Sequence, residues 1–127
     1  MEKNVKKAII EEVVATLKGD NEIKQLTNDT VFSFFSKQPV QGAFIALENY
    51  STTFGHTKDG SYPDDFAFTT SCVADSLTTV EALALRCEEL LDGLFISELS
   101  SSLRLMSAVT GGDGTDFYCK INFETDL

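Results

Sequence analysis

Between residues 2 and 18 the apolar side chains Val5, Ile9, Val13 and Leu17, flanked by Ala8, Ile10 and Val14, recur at steps of three and four. That spacing lines one broad face of a helix and predicts an amphipathic helix that stops at Gly19. A second pattern of this kind covers residues 79–94, with Val80, Leu83, Ala84, Cys87, Leu90, Leu91 and Leu94 on one side. Thr78 and Glu81 form a capping-box pair at its start, and Gly93 marks its end.

Elsewhere the period falls to two. Phe117, Cys119, Ile121 and Phe123 alternate with Tyr118, Lys120, Asn122 and Glu124, which predicts a strand with one face on a core. Leu103, Leu105 and Val109, alternating with Arg104, Met106 and Ala108, predict its hairpin partner, with residues 111–114 (Gly-Gly-Asp-Gly) as the turn. Further strands are predicted at 65–73, led by Phe66 and Phe68, at 43–48, entered through Pro39 and Gly42, and at 30–35. In the last of these, Phe32 and Phe34 point one way while Val31 and Phe35 point the other, so both faces require cover from helix, loop or a second chain. Residues 51–64, rich in Ser, Thr, Gly and Asp, read as one long loop, a kind of segment that is often functional or disordered.

The resulting order is α-β-β-β-α-β-β. Its economical packing is an α+β domain spanning 1–127, a largely antiparallel four- to five-stranded sheet with two helices packed on one face. A chain of 127 residues, 43% of them hydrophobic, should bury roughly two thirds of its unfolded surface and so requires neither disulfide nor metal to fold. The three cysteines, Cys72, Cys87 and Cys119, are odd in number and widely spaced, which suits a reducing compartment and buried thiols rather than a disulfide scaffold. The longest apolar run, residues 43–47, is far below the roughly 18 needed to cross a bilayer, so no membrane role is expected.

Charge changes the picture of partners. The net charge is −10, and residues 59–127 hold thirteen acids against three basic residues, while residues 1–58 are balanced at seven each. Such a field disfavours a free-standing nucleic-acid binder.

The candidate chemistry is sparse. His56 is the only histidine and lies in a loop-like segment without a nucleophile elbow, so a solvated imidazole is expected rather than a catalytic one. No C-x-x-C or H-x-x-x-H pair is present for zinc. The run from Gly111 to Asp116 matches the start of a calcium-binding nonapeptide, but a single copy cannot build the stack of turns that holds the ion. Of the paired carboxylates, Glu11/Glu12 and Glu88/Glu89 read as solvated helix positions. Asp64/Asp65 reads as turn chemistry, with a cation or a partner's arginine as the alternative. No catalytic residue, cofactor or metal is therefore expected.

Taken together, these features resemble the small phage tail-completion proteins, the tail terminators that join tail to head. The matching elements are the N-terminal helix and a Phe-rich segment leading through Gln38-Pro39 into Ala43-Phe44-Ile45-Ala46-Leu47. After them come a Thr-rich loop, the strand at 66–73, a helix opened by Thr79-Val80-Glu81-Ala82, and a closing hairpin that ends at 117–123. The resemblance implies a non-enzymatic virion protein that forms a homo-oligomeric ring, often a hexamer, at the head-proximal end of a tail. Its implied partners are copies of itself, the tail tube and the head-tail connector proteins, with DNA only passing through. It supplies no catalytic residue. On this reading the assembly interface comprises Phe32, Phe34, Phe35, Thr52, Thr53, Phe54, His56 and Tyr62, and the acidic second half lines the channel. The rival expectations are a cytoplasmic ligand-binding or regulatory α+β module, with a closed apolar pocket, and a hydrolase using His56.

Overall fold

The computed structural model describes residues 5–28, 30–32, 42–97, 99, 101–112 and 114–127. Helix α1 (Val5–Lys18) buries Ile9, Val13 and Leu17 completely, one residue per helical turn, as the spacing predicts. A second helix, α2 (Asn21–Thr27), follows at once and was not expected. Asp20 opens it: its carboxylate accepts from the Ile23 amide at 3.1 Å, and Asn28, at φ 52°, closes it with an amide that donates to the Lys24 carbonyl.

Strand β1 (Val31–Phe32) comes next, then β2 (Phe44–Thr57) and β3 (Gly60–Ala74). Helix α3 (Leu77–Leu91) is capped by Ser76, whose hydroxyl accepts from the Thr79 amide, two positions before the expected cap at Thr78. It buries Val80, Leu83, Ala84, Cys87 and Leu91, while Leu90 is only half-buried and Leu94 lies past the helix end. Two short strands, β4 (Phe95–Ile96) and β5 (Ser101–Ser102), precede the closing pair β6 (Arg104–Gly112) and β7 (Phe117–Asp126).

These strands overturn the expected sheet. The main sheet has the order β1-β2-β3-β7-β6 and is mixed, because β1 runs parallel to β2, with Val31 opposite Ile45 and Phe32 opposite Ala46. A separate two-stranded sheet pairs β4 with β5, and the described residues hold three helices instead of two. The description remains roughly α+β. The discrepancy arises in two-residue strands and a seven-residue helix, which are too short to show a period in sequence.

One face of the sheet carries the core. Ile45 and Leu47 of β2, Phe66, Phe68 and Cys72 of β3, and Cys119, Ile121 and Phe123 of β7 are buried there in register. Phe68 stacks on Phe123 at 5.7 Å between ring centroids, and Cys72 Sγ meets Cys87 Sγ of α3 at 3.7 Å, which places α3 over this face. All three cysteines are free and buried. The Cys87 thiol beside it, together with burial, pushes Cys72 well above the ordinary thiol range, so it stays protonated and unreactive.

An arginine ties the helices together. Arg86 on α3 donates from Nη2 to Asp20 Oδ1 at 2.6 Å and from Nε to both Asp20 oxygens at 3.1 and 3.2 Å, with Nη1 on Glu89 at 3.0 Å. The guanidinium, aided by the Ile23 amide, holds the Asp20 carboxyl below its ordinary 3.8. Asn also caps helices well, so Asp20→Asn isolates the ion pair and should cost about 1.5 kcal/mol at neutral pH. A depressed acid contributes stability above its unfolded value and loses it as the pH falls through the folded one. The gap between wild type and variant, followed by urea unfolding, should therefore close below about pH 3.8.

Candidate functional site

Residues 51–64, expected as a loop, are the far half of a β-hairpin. Strands β2 and β3 remain paired from Thr52 opposite Phe66 out to Thr57 opposite Gly60. The other neighbour of β3 stops sooner, since β7 ends at Asp126 opposite Asp65. The Leu127 amide still donates to the Asp64 carbonyl at 2.8 Å; beyond Asp64 the two strands have only each other as strand partners among the described residues, and they form a ribbon that projects past the sheet.

Local chemistry shapes this arm. Register shifts between Glu48 and Ser51 and between Thr53 and Phe54 mark bulges, the first containing Asn49 at φ 56°, and bulges bend and twist a strand pair. At the tip, Gly60 adopts φ 127°, and the Thr57 hydroxyl donates to the Gly60 carbonyl and accepts from the Asp59 amide, both at 3.3 Å. An isolated two-stranded ribbon is marginally stable in water, so its backbone edges are available to a partner.

The arm gathers most of the residues expected at an interface. Thr52 is half-buried, Thr53 and His56 are exposed, Phe54 is 49% exposed, and the Tyr62 backbone pairs with Gly55. Phe32 is not among them. It sits on β1 opposite Ala46, where it packs edge-on against Phe44 at 6.0 Å, so its cover comes from its own chain. Phe34 and Phe35 lie outside the described residues.

At the root of the arm stands a group of acids. Asp65 faces Asp126 across the β3–β7 pair, and Arg104 reaches Asp126 at 3.1 Å and Glu124 at 3.5 Å. A hydrogen bond shared with Asp126, reinforced by burial and by the charges of Asp64 and Glu124, raises Asp65 above its ordinary 3.8. A raised acid costs stability once it ionises. Asp65→Asn should thus raise the melting temperature at neutral pH, with the gain fading as the pH is lowered through the carboxylate range.

The sheet face away from α3 is polar and cross-linked. Thr69 Oγ1 donates to Asn122 Oδ1 at 2.6 Å, Asn122 Nδ2 donates to Ser107 Oγ at 2.8 Å, and Lys120 pairs with Glu48 at 3.3 Å. Strand β6 was expected to hold Leu105 and Val109 on one face, but a bulge between Leu105 and Ser107 separates them. Leu105 opposes the buried Phe123, whereas Val109 opposes Lys120 on the polar face and is 58% exposed. Gly111 and Gly112 belong to β6 itself and not to the turn. A Cβ on Gly111 would meet the Tyr118 hydroxyl at 2.5 Å, so the Tyr118 ring lies close against the backbone there.

Among the described residues no group of three or more His, Cys, Asp or Glu side chains is placed to hold a metal ion. Among the same residues no helix is long and apolar enough to cross a membrane. The outer edge of β6 is the surface that sequence reasoning missed. The signal for it was present, since residues 105–112 contain neither a charge nor a proline.

Fold and surface together define a layered α+β protein with a projecting two-stranded ribbon and β6 as an outer strand of its main sheet. No family model and no curated protein matches the chain in sequence. Its fold is similar to that of a chain in a solved structure of the virion of a native gene transfer agent particle. The TM-score is 0.79 at 18% identity, over 98% of this chain and 98% of that one.

Proposed function

We propose that the chain is a non-enzymatic virion structural protein. It assembles as a ring of about six copies at the head-proximal end of a phage-like tail, terminates the tail tube and joins it to the head. The observation that carries this reading is the fold likeness to a chain of a phage-like virion along almost the whole of both chains. The projecting β2–β3 arm supports it, because a ribbon whose outer part has no further strand beside it among the described residues is suited to binding a neighbour. Mechanism here means self-complementary binding: the ring presents a surface that a further tube subunit cannot extend. The acid-rich second half suits a channel wall along which DNA slides without sticking. The protein acts in the host cytoplasm during assembly and in the virion afterwards.

Negative-stain imaging and light scattering over a range of concentrations test the proposal. Closed rings are expected. A monomer at every concentration would remove the structural reading, and a turnover lost with His56 would favour the hydrolase.

A further inference from the structure

We infer that the open edge of β6, residues 107–112, receives the β2 edge of the arm, residues 52–57, of a second copy of this chain, so that the sheet continues from one copy into the next. The inference rests on the self-assembling reading above and names the surface that the arm engages. Strand β6 is an outer strand, and among the described residues its only strand partner is β7. Its first residues are closed off: the Leu105 amide donates to Asp92 Oδ1 at 3.1 Å, and Arg104 is held by Glu124 and Asp126. Past the bulge, Ser107, Ala108, Val109, Thr110 and Gly112 are exposed.

Natural sheet edges are usually blunted by lysine, proline or inward-pointing charge. Residues 107–112 carry none of these, so the edge is left in a form that accepts a strand.

The arm has two edges, and they are not equivalent. On the β3 side, Pro63 has no amide to donate, and Asp64 and Asp65 bring negative charge. On the β2 side, residues 52–57 contain neither proline nor an acid. The two segments are equal in length, so a continuous ladder is possible along both.

Electrostatics selects the same pair. Two copies that each carry −10 repel one another unless acid-free surfaces meet. Residues 49–58 and 100–112 contain no acid, and each stretch holds one basic residue, Lys58 or Arg104.

The geometry also fixes the kind of contact. The arm extends from β2 and β3, whereas the acceptor lies beyond β7 at the other side of the sheet, so the joined surfaces differ. A contact of this heterologous type repeats head to tail and closes into a ring when the rotation per copy allows.

The test uses Thr53→Cys and Ala108→Cys as separate full-length variants. Both positions are exposed, and the native thiols are buried, so a bismaleimide reagent addresses the new cysteines. An equimolar mixture should yield a covalent dimer containing one chain of each variant, while either variant alone stays uncoupled. The double variant should yield a ladder of multimers. Coupling within Thr53→Cys alone, or no coupling in the mixture, overturns the pairing. Light scattering on the same samples separates the two levels: assembly without coupling overturns only this contact, and absence of assembly overturns the self-assembling reading as well.

Discussion

Phe68→Ala is expected to lower the free energy of unfolding by about 3–5 kcal/mol, the upper end of what truncating a single core side chain costs. Phe68 is 1% exposed on β3, with Phe123 stacked on one side of it and Phe66 at 6.2 Å on the other. The interior is close-packed, so neighbours collapse only partly into the space left by the ring, and the lost contacts add to the transfer term. Against a total stability of about 5–15 kcal/mol for a typical protein, that loss moves the urea midpoint far to the left. Phe54→Ala on the arm is the control. Its ring is 49% exposed, and a change within about 0.5 kcal/mol is expected. A loss below about 1 kcal/mol at Phe68 would mean that the sheet face carrying the core has been misassigned.

Shortening the arm should separate folding from assembly. Thr53 and Asp65 are already cross-strand partners, so replacing residues 54–64 by Asn-Gly closes the hairpin with a two-residue turn suited to type I′ geometry. The core residues of β2 and β3, from Ile45 to Leu47 and from Phe66 to Cys72, stay in register. The expected product is a folded protein, with an unfolding midpoint close to that of the parent, that no longer forms rings at any concentration. Calorimetry and light scattering on one preparation read both quantities. Assembly at the parent's concentration dependence would exclude the arm from the interface, and with it the pairing of arm and β6 edge.

The two helices α1 and α3 and the strand β7 were legible in the sequence for one reason. Each has a face against the core and a face in water, so burial is written as a period, 3.6 for Ile9, Val13 and Leu17 and two for Cys119, Ile121 and Phe123. The arm was not legible, because a ribbon exposed on both faces has no alternation to display. Its composition looked like a loop, although backbone pairing makes it a hairpin. Helix α2 escaped notice because only Ile23 and Thr27 of its seven residues are buried. Of the interface expected from sequence, Thr52, Thr53, Phe54 and His56 do share one arm, while Phe32 is drawn away by Phe44.

By itself the sequence determined most of the core of the main helices and of β7, although Phe117, expected on the core face, is exposed and Leu90 is only half-buried; it also determined that all three thiols sit at apolar positions and that acid is concentrated in the second half. These are properties of composition and local period, and they survive any arrangement of the elements. Only the tertiary structure decided that β1 joins the sheet in parallel, that a bulge turns Val109 outward, and that β7 ends before the arm does, leaving the ribbon and the β6 edge without a further strand among the described residues. Those outcomes depend on backbone hydrogen bonds between segments far apart in the chain, and such bonds leave no trace in the hydrophobic pattern of either partner.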